Sequence, residues 1–375
     1  MNGPGAVRPR VAICTDGVFP LAMGGMQRHS RLLVEHLARS GEVDLIVLHP
    51  HPTGVFSDLP HVEEMPLPPI DTGKFYLREL WRYSRHVEAA LHRLQPDVVL
   101  SQGFSVWAGA HTFRDKLIFH PHGLEMFQGL TTKERMLGLP FRMLVQHLAR
   151  QARCTISLGG KLTAILRSIG ARQVVVLPNA VDVPQQPPAD REPGDAVRFL
   201  FVGRFAFNKG IDLLMHAAQR LAKEQVPARF QLAGDGPLLR QYRAEGLPPN
   251  VELLGRVDDE HLFQLYADSD CFVLPTRFEG MPTVVLEAMA RACPVVVSDV
   301  GATADLVTDG LNGLLLPAGD AEALYRGLVR FCRMDAAQRR AMGQAGHTLA
   351  RQRFDWPQVA RGYIALFRGL TGPDR

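Results

Sequence analysis

Short apolar runs alternate with longer amphipathic stretches along almost the whole of this chain. A strand buried on both faces reads as a continuous apolar run, whereas a crossover helix is apolar on one face only. The alternation therefore predicts β-α units with parallel sheets, an α/β fold. In the first half the strand candidates are Val11–Thr15, Val43–Leu48, Val98–Ser101, Leu117–Phe119, Cys154–Leu158 and Val174–Leu177. Helical patterns lie between them, among them Met26–Arg39 and Phe75–Leu94. In the latter, Leu77, Leu80, Trp81, Ser84, Val87, Leu91 and Leu94 recur at helical spacing and form a face expected to pack on a sheet.

The rhythm breaks at Val183–Ala196, VPQQPPADREPGDA, whose composition suits a linker or exposed loop. A second β-α series follows. Its strand candidates are Arg198–Val202, Phe230–Ala233, Val251–Leu254, Cys271–Leu274, Val295–Ser298 and Gly313–Leu316. Its helix candidates are Gly210–Lys223, Asp258–Asp268, Thr283–Ala292, Ala321–Arg330 and Trp356–Leu370. At ~150 residues per domain, 375 residues also suggest about two domains. Ligands of open α/β sheets bind outside the carboxyl ends of the strands, so two such domains facing each other would hold a ligand in a cleft.

Composition excludes several classes. With 46% hydrophobic and 21% charged residues, the chain is neither collagen-like nor disordered. It has no run of about 18 apolar residues, so no spanning helix is expected. The opening MNGPGAVRPR lacks the apolar core of a secretory signal. Cys14, Cys154, Cys271, Cys293 and Cys332 are scattered without a C-x-x-C pair. They read as buried thiols of a reducing, cytoplasmic compartment, and no metal site is expected. The net charge of +4 is uneven: residues 1–183 hold 20 Lys and Arg against 15 Asp and Glu, residues 184–375 hold 22 against 23.

Four motifs carry chemistry. Gly24-Gly25-Met26-Gln27 opens a helix after the first strand, where paired glycines let backbone approach an anion or serve a plain turn. It is not the G-x-G-x-x-G dinucleotide fingerprint. Phe119-His120-Pro121-His122-Gly123 ends a strand, where a histidine can point at a substrate or serve structure. Gly203-Arg204 and Lys209-Gly210 bracket a strand-to-helix turn, with an arginine fork and a lysine point charge suited to a diphosphate or merely solvated. Glu279-Gly280-Met281-Pro282-Thr283-Val284-Val285-Leu286-Glu287 sets one carboxylate in a loop and another about one turn into a helix. These can accept from sugar and ribose hydroxyls, or serve the helix dipole and the surface.

Taken together, the motifs resemble the retaining GT-B glycosyltransferases, specifically glycosyltransferase family 4. The matching segments are FLFVGRFAFNKGIDLL (Phe199–Leu214), FQLAGDGP (Phe230–Pro237), NVELLGRV (Asn250–Val257) and FVLPTRFEGMPTVVLEAMA (Phe272–Ala290), with VVVLPNAVD (Val174–Asp182), GGMQ and HPHGLE in the first half. The resemblance implies a GT-B fold of two Rossmann-like, doubly wound domains facing across a cleft. The acceptor-side domain would be 1–183 plus a returning helix in 356–375, and the donor-binding domain 184–355. It implies that Arg204 and Lys209 hold the donor diphosphate, Glu287 binds the ribose and Glu279 binds hydroxyls of the donor sugar. Gly203, Gly280, Met281, Pro282, Thr283 and Val284 would line sugar and phosphate, and Arg256 and Val257 would border the base. Gly24 and Gly25 would let backbone approach the phosphates, and His122, rather than His120, would sit near the transferred sugar. The run Asp299-Val300-Gly301-Ala302-Thr303 departs from the family's usual pair of glycines, and Asn179-Ala180-Val181-Asp182 from its Asn-Gly-Val-Asp.

The reaction so implied is retaining, metal-independent transfer of a sugar from a nucleotide-diphosphate sugar, a co-substrate rather than a cofactor, to an acceptor hydroxyl. The product would belong to cell-envelope polysaccharide, glycolipid or glycoconjugate synthesis. The alternatives are a GT-B sugar-nucleotide epimerase or phosphorylase, or a non-catalytic nucleotide-sugar-binding module. Basic residues concentrate in Lys74–Arg93 and Thr131–Arg153, and the second segment places Phe141, Leu144, Val145 and Leu148 on one face. A basic amphipathic helix can lie on an anionic membrane. That predicts a glycan or lipid-linked acceptor and a peripheral position on the inner face of a membrane, with the packed, solvated helix as the plain alternative. The basic stretches lack interleaved stacking aromatics, so no nucleic-acid partner is expected.

Overall fold

The computed structural model describes residues 8–71, 75–128, 132–188 and 194–372, without the side chains of residues 133 and 134. Lys74, Thr131 and the Lys133 and Glu134 side chains, all in the basic segments flagged above, lie outside the described residues, as do 189–193 of the expected linker. The chain forms two compact units, Met1–Pro178 with Trp356–Arg375, and Asn179–Asp355.

In the first unit the strands are β1 (Arg10–Cys14), β2 (Asp44–His49), β3 (Val62–Pro66), β4 (Val98–Gln102), β5 (Leu117–His120), β6 (Cys154–Ser157) and β7 (Val174–Val176). They pair in parallel in the order β3-β2-β1-β4-β5-β6-β7. The helices are α1 (Gly25–Ser40), α2 (Tyr76–Leu94), α3 (Thr132–Leu137), α4 (Leu139–Gln151) and α5 (Gly160–Ser168). In the second unit β8 (Val197–Val202), β9 (Ala228–Ala233), β10 (Val251–Gly255), β11 (Cys271–Leu274), β12 (Val295–Ser298) and β13 (Gly313–Leu316) pair in parallel as β10-β9-β8-β11-β12-β13. Its helices are α6 (Ile211–Lys223), α7 (Leu239–Glu245), α8 (Asp259–Asp268), α9 (Thr283–Ala290), α10 (Thr303–Leu306), α11 (Ala321–Cys332) and α12 (Ala336–Arg353). The last helix, α13 (Trp356–Thr371), belongs to the first unit, where it packs on α1. Both sheets are doubly wound, and the strand order reverses between β1 and β4 and between β8 and β11.

The apolar runs became the central strands because both faces are covered: β4, β5, β6, β11 and β12 are buried at every residue. Several elements escaped the pattern, β3 and α12 among them. β3 reads Val-Glu-Glu-Met-Pro and is a half-exposed edge strand, so it carries no apolar run. α12 is mostly polar, and it holds through a capping box between Asp335 and Gln338 and a seam of small residues. A Cβ at Gly343 would come within 2.0 Å of Ala292 O, so this helix lies directly on backbone.

The structure corrects two expectations and decides a third. Val183–Pro188 belongs to the second unit, and of the two readings its composition allowed it is the exposed loop, with Pro184–Pro188 exposed along the surface of that unit. Val183 N–H donates to Asp355 Oδ1 (3.2 Å), His347 Nε2 lies 3.0 Å from Pro184 O, and Arg351 donates to Gln185 O (2.9 Å). Trp81, placed on the packing stripe of α2, is 42% exposed and stands edge-on to Trp107, while Tyr83 is buried beside that stripe. On α4, Leu144, Val145 and Leu148 are buried, so the face flagged for a membrane is consumed by packing. There Arg142 donates to Met126 O, Arg150 to Ile169 O and Arg153 to Asp115 O. Cys14, Cys154, Cys271 and Cys293 are buried thiols and Cys332 is half-buried. No helix among the described residues is long and apolar enough to cross a membrane.

Candidate active site

The second unit gathers its charged candidates at the β8/β11 reversal. Gly203 and Arg204 follow β8, and Lys209 ends a single 3-10 turn before α6. Gly210 makes the turn possible: its φ is +68°, and a Cβ there would come within 1.9 Å of Pro275 O. That close approach brings Lys209 to the loop after β11, where its ammonium donates to Glu279 Oε1. The two side chains keep 24% and 13% of their exposure, so the pair sits at the rim of the sheet. Arg204 is exposed.

Residues not singled out from sequence brace this loop. Buried Thr276 places its hydroxyl 2.9 Å from Asn208 O and 3.4 Å from Glu279 Oε1. Arg277 grips Asp212 with both guanidinium arms (2.7 and 2.6 Å) and lies 3.8 Å over the Phe207 ring. Arg277 thus locks the loop after β11 to the turn carrying Lys209. On the other side, Gly301 (φ +53°) lets the loop after β12 approach until a Cβ would be 2.3 Å from Glu279 O and Gly280 O. Ala302 N–H then donates to Gly280 O (2.9 Å).

Gly280, Met281 and Pro282 are buried at the entry to α9, and Thr283 and Val284 are its first, half-buried residues. Pro282 provides no side-chain cap and the first turn has no acid, so the opening N–H groups of α9 have no side-chain acceptor from the cap residue. Glu287 is one turn in and 7% exposed, and Tyr266 OH donates to its Oε2 (3.0 Å). One carboxylate oxygen is therefore spoken for by the tyrosine. Arg256 and Val257 follow the edge strand β10, two strands from β8, with Arg256 exposed and Val257 half-buried.

The first unit builds a different kind of site at the β1/β4 reversal. Gly24 and Gly25 are exposed at the start of α1. His122 follows β5 with φ +60°, a conformation uncommon outside glycine. Its ring stacks on His120 (centroids 3.8 Å apart) and meets His29 of α1 edge-on (4.9 Å), and its Nε2 pairs with Gln102 Oε1. Sequence reading passed over His29 because one histidine on an apolar helical face looks like a core residue. The i, i+2 spacing of His120 and His122 was the available signal. Burial holds all three imidazoles well below the ordinary histidine value, His29 at about 3. Asp16, just past β1, was also passed over. Burial pushes its carboxyl up to about 6 against a 3.0 Å hydrogen bond from Gln27 Nε2.

Comparison with known proteins settles the class. The profile described as Glycosyltransferase Family 4 matches residues 23–185, and that described as Glycosyl transferases group 1 matches residues 196–333. The chain belongs to glycosyltransferase family 4. A glycogen synthase of Mycobacterium tuberculosis is 31% identical over 235 residues, 59% of this chain and 55% of that protein. A phosphatidyl-myo-inositol mannosyltransferase of Mycobacterium leprae is 30% identical over 257 residues, 66% of this chain and 64% of that one. The matches thus span about half to two thirds of these curated relatives. Sucrose-phosphate synthase of Thermosynechococcus elongatus superposes with a TM-score of 0.82 at 24% identity, covering 97% of this chain and 99% of that one, which establishes the GT-B fold.

Proposed function

We propose that this family 4 member is a retaining, metal-independent glycosyltransferase that takes a nucleotide-diphosphate sugar as donor. The observation that carries the reading is the Lys209–Glu279 pair braced at the carboxyl ends of β8 and β11. Donor binding divides that pair: the diphosphate takes the Lys209 ammonium, with Arg204 beside it, and sugar hydroxyls take the Glu279 carboxylate. The second oxygen of Glu287 accepts from the ribose, and N–H groups at the start of α9 face the leaving phosphate. Gly203 and Gly280–Val284 line the donor, and Arg256 and Val257 border its base. As the sugar–oxygen bond breaks, negative charge builds on the diphosphate, and fixed cations and dipoles stabilise it without reorganising. The departing phosphate oxygen accepts the acceptor's proton on the same face, which preserves the anomeric configuration.

The acceptor is a glycan or lipid-linked hydroxyl of envelope polysaccharide, glycolipid or glycoconjugate synthesis. The names of the two curated relatives, a glycogen synthase and a mannosyltransferase acting on a phosphatidylinositol, support this class. An apolar, basic surface supports peripheral contact with an anionic membrane. Phe75, Met136, Leu137, Leu139 and Met143 are exposed, and Tyr76 and Phe141, 6.3 Å apart, join α2 to α4 beside Arg78 and Arg82. This set replaces the buried face of α4. Transfer from UDP-, GDP- or ADP-sugars to extracted envelope glycans and lipids, with the product anomer read by NMR, tests the reading. A retained anomer supports it. An inverted anomer, or no turnover with any of the three donors, overturns it.

A further inference from the structure

We infer that His29, His120 and His122 form a binding site for a late first-row divalent metal ion such as zinc. Nothing in the proposed transfer requires this site.

The three residues come from α1, the end of β5 and the loop after it, so the strand-order reversal of the first sheet brings them together. One ligand atom from each lies within 4.8 Å of the others. A point equidistant from three atoms at that outer spacing is about 2.8 Å from each, and zinc–imidazole bonds are about 2.0–2.1 Å, so each ring needs to pivot by less than about 1 Å.

The hydrogen bonding is that of metal ligands. His29 Nδ1 and His120 Nε2 are buried without a hydrogen-bond partner. Orphaned nitrogens inside a core are costly unless something occupies them. The opposite nitrogens of the same two rings converge on one group: Tyr363 OH lies 3.5 Å from His29 Nε2 and 3.3 Å from His120 Nδ1. His122 likewise has one ring nitrogen held from outside the cluster, its Nε2 by Gln102 Oε1. A ligating imidazole characteristically binds metal through one nitrogen while the other is held by a neighbour, which fixes its orientation. Here all three rings have that outer partner already, from α13 and β4.

Ligand chemistry selects the ion. Three neutral imidazoles suit zinc, copper or nickel, and they offer magnesium and calcium none of the oxygens those ions require. Three protein ligands leave a fourth position for water or a small ligand.

The test uses the full chain freed of metal, with Zn²⁺ in equilibrium dialysis and Co²⁺ as spectroscopic probe. The expected result is one Zn²⁺ per chain and a tetrahedral Co²⁺ spectrum without a thiolate charge-transfer band. His29→Gln and His122→Asn each abolish binding, and His122→Asn lies in a loop, which keeps the test open if the buried substitution unfolds the chain. Tyr363→Phe keeps the ligands and weakens affinity by about tenfold or more. Absence of stoichiometric binding, binding by either folded histidine variant at wild-type strength, or a thiolate band would overturn the site.

Discussion

The two units share a strand order and differ in what they place where that order reverses. The second presents charges in partial contact with water, Lys209 against Glu279 and the exposed Arg204. The first presents imidazoles whose charge burial has removed. One scaffold thus supplies two kinds of recognition surface, and the surrounding dielectric decides which. A rim of partly solvated charges can answer a diphosphate, whereas a dry cluster offers lone pairs and N–H groups in fixed directions.

The largest way to break this contrast is to remove the charge. Lys209→Ala or Glu279→Ala should lower transfer by about 10²–10³-fold or more, with the circular dichroism spectrum unchanged. Near-normal turnover in either folded variant would mean that the second unit's charged pair is structural. The next effect is on stability, and it belongs to the first unit. His29, His120 and His122 have folded values below the unfolded one of about 6.5, so their stabilisation is complete above that pH and is lost as pH falls. Each can contribute up to about 1.4 kcal/mol per pH unit. Asp16 has the opposite sign: raised to about 6, it favours the fold at low pH and loses that contribution as pH rises through about 6, offsetting at most one imidazole. All three tryptophans, Trp81, Trp107 and Trp356, lie in the first unit and report on it alone. Their fluorescence-monitored denaturation midpoint should fall between pH 7 and 5, less steeply in His29→Gln. A flat midpoint would show the imidazoles titrating normally.

The smallest effect sharpens the contrast inside the second unit. Tyr266→Phe removes the hydrogen bond to Glu287 Oε2 and should weaken donor binding about two- to tenfold, since such a bond contributes about 0.5–1.5 kcal/mol. Isothermal titration reads it, and unchanged affinity would separate Glu287 from the donor.

How far each unit could be read from its residues follows the same division. The central strands were legible because burial on both faces writes an apolar run, and so was the placement of Arg204, Lys209 and Glu279 after strands and of Glu287 in the helix beyond, because their short motifs follow such runs. β3 was not, since an edge strand needs one apolar face at most, nor α12, whose contact with Ala292 is made by glycine rather than a hydrophobic stripe. Trp81 followed the helical period and still faces outward, because Trp107 meets it there. The imidazole cluster was hidden for a deeper reason. His29 is 91 residues from His120, and only the pairing of β1, β4 and β5 makes them neighbours. Asp16 likewise acquires its altered acidity from burial, which no local motif encodes.

The central claim is that the second unit's paired charges receive a nucleotide-diphosphate sugar. Thermal denaturation of the whole chain with UDP-, GDP- and ADP-sugars tests it most directly, because a ligand at about 100 times its Kd adds roughly 2.7 kcal/mol to the folded state. The account predicts that one nucleotide class raises the Tm by several degrees and that Lys209→Ala loses the rise. No rise with any of the three, or an equal rise in the folded Lys209→Ala variant, would contradict it.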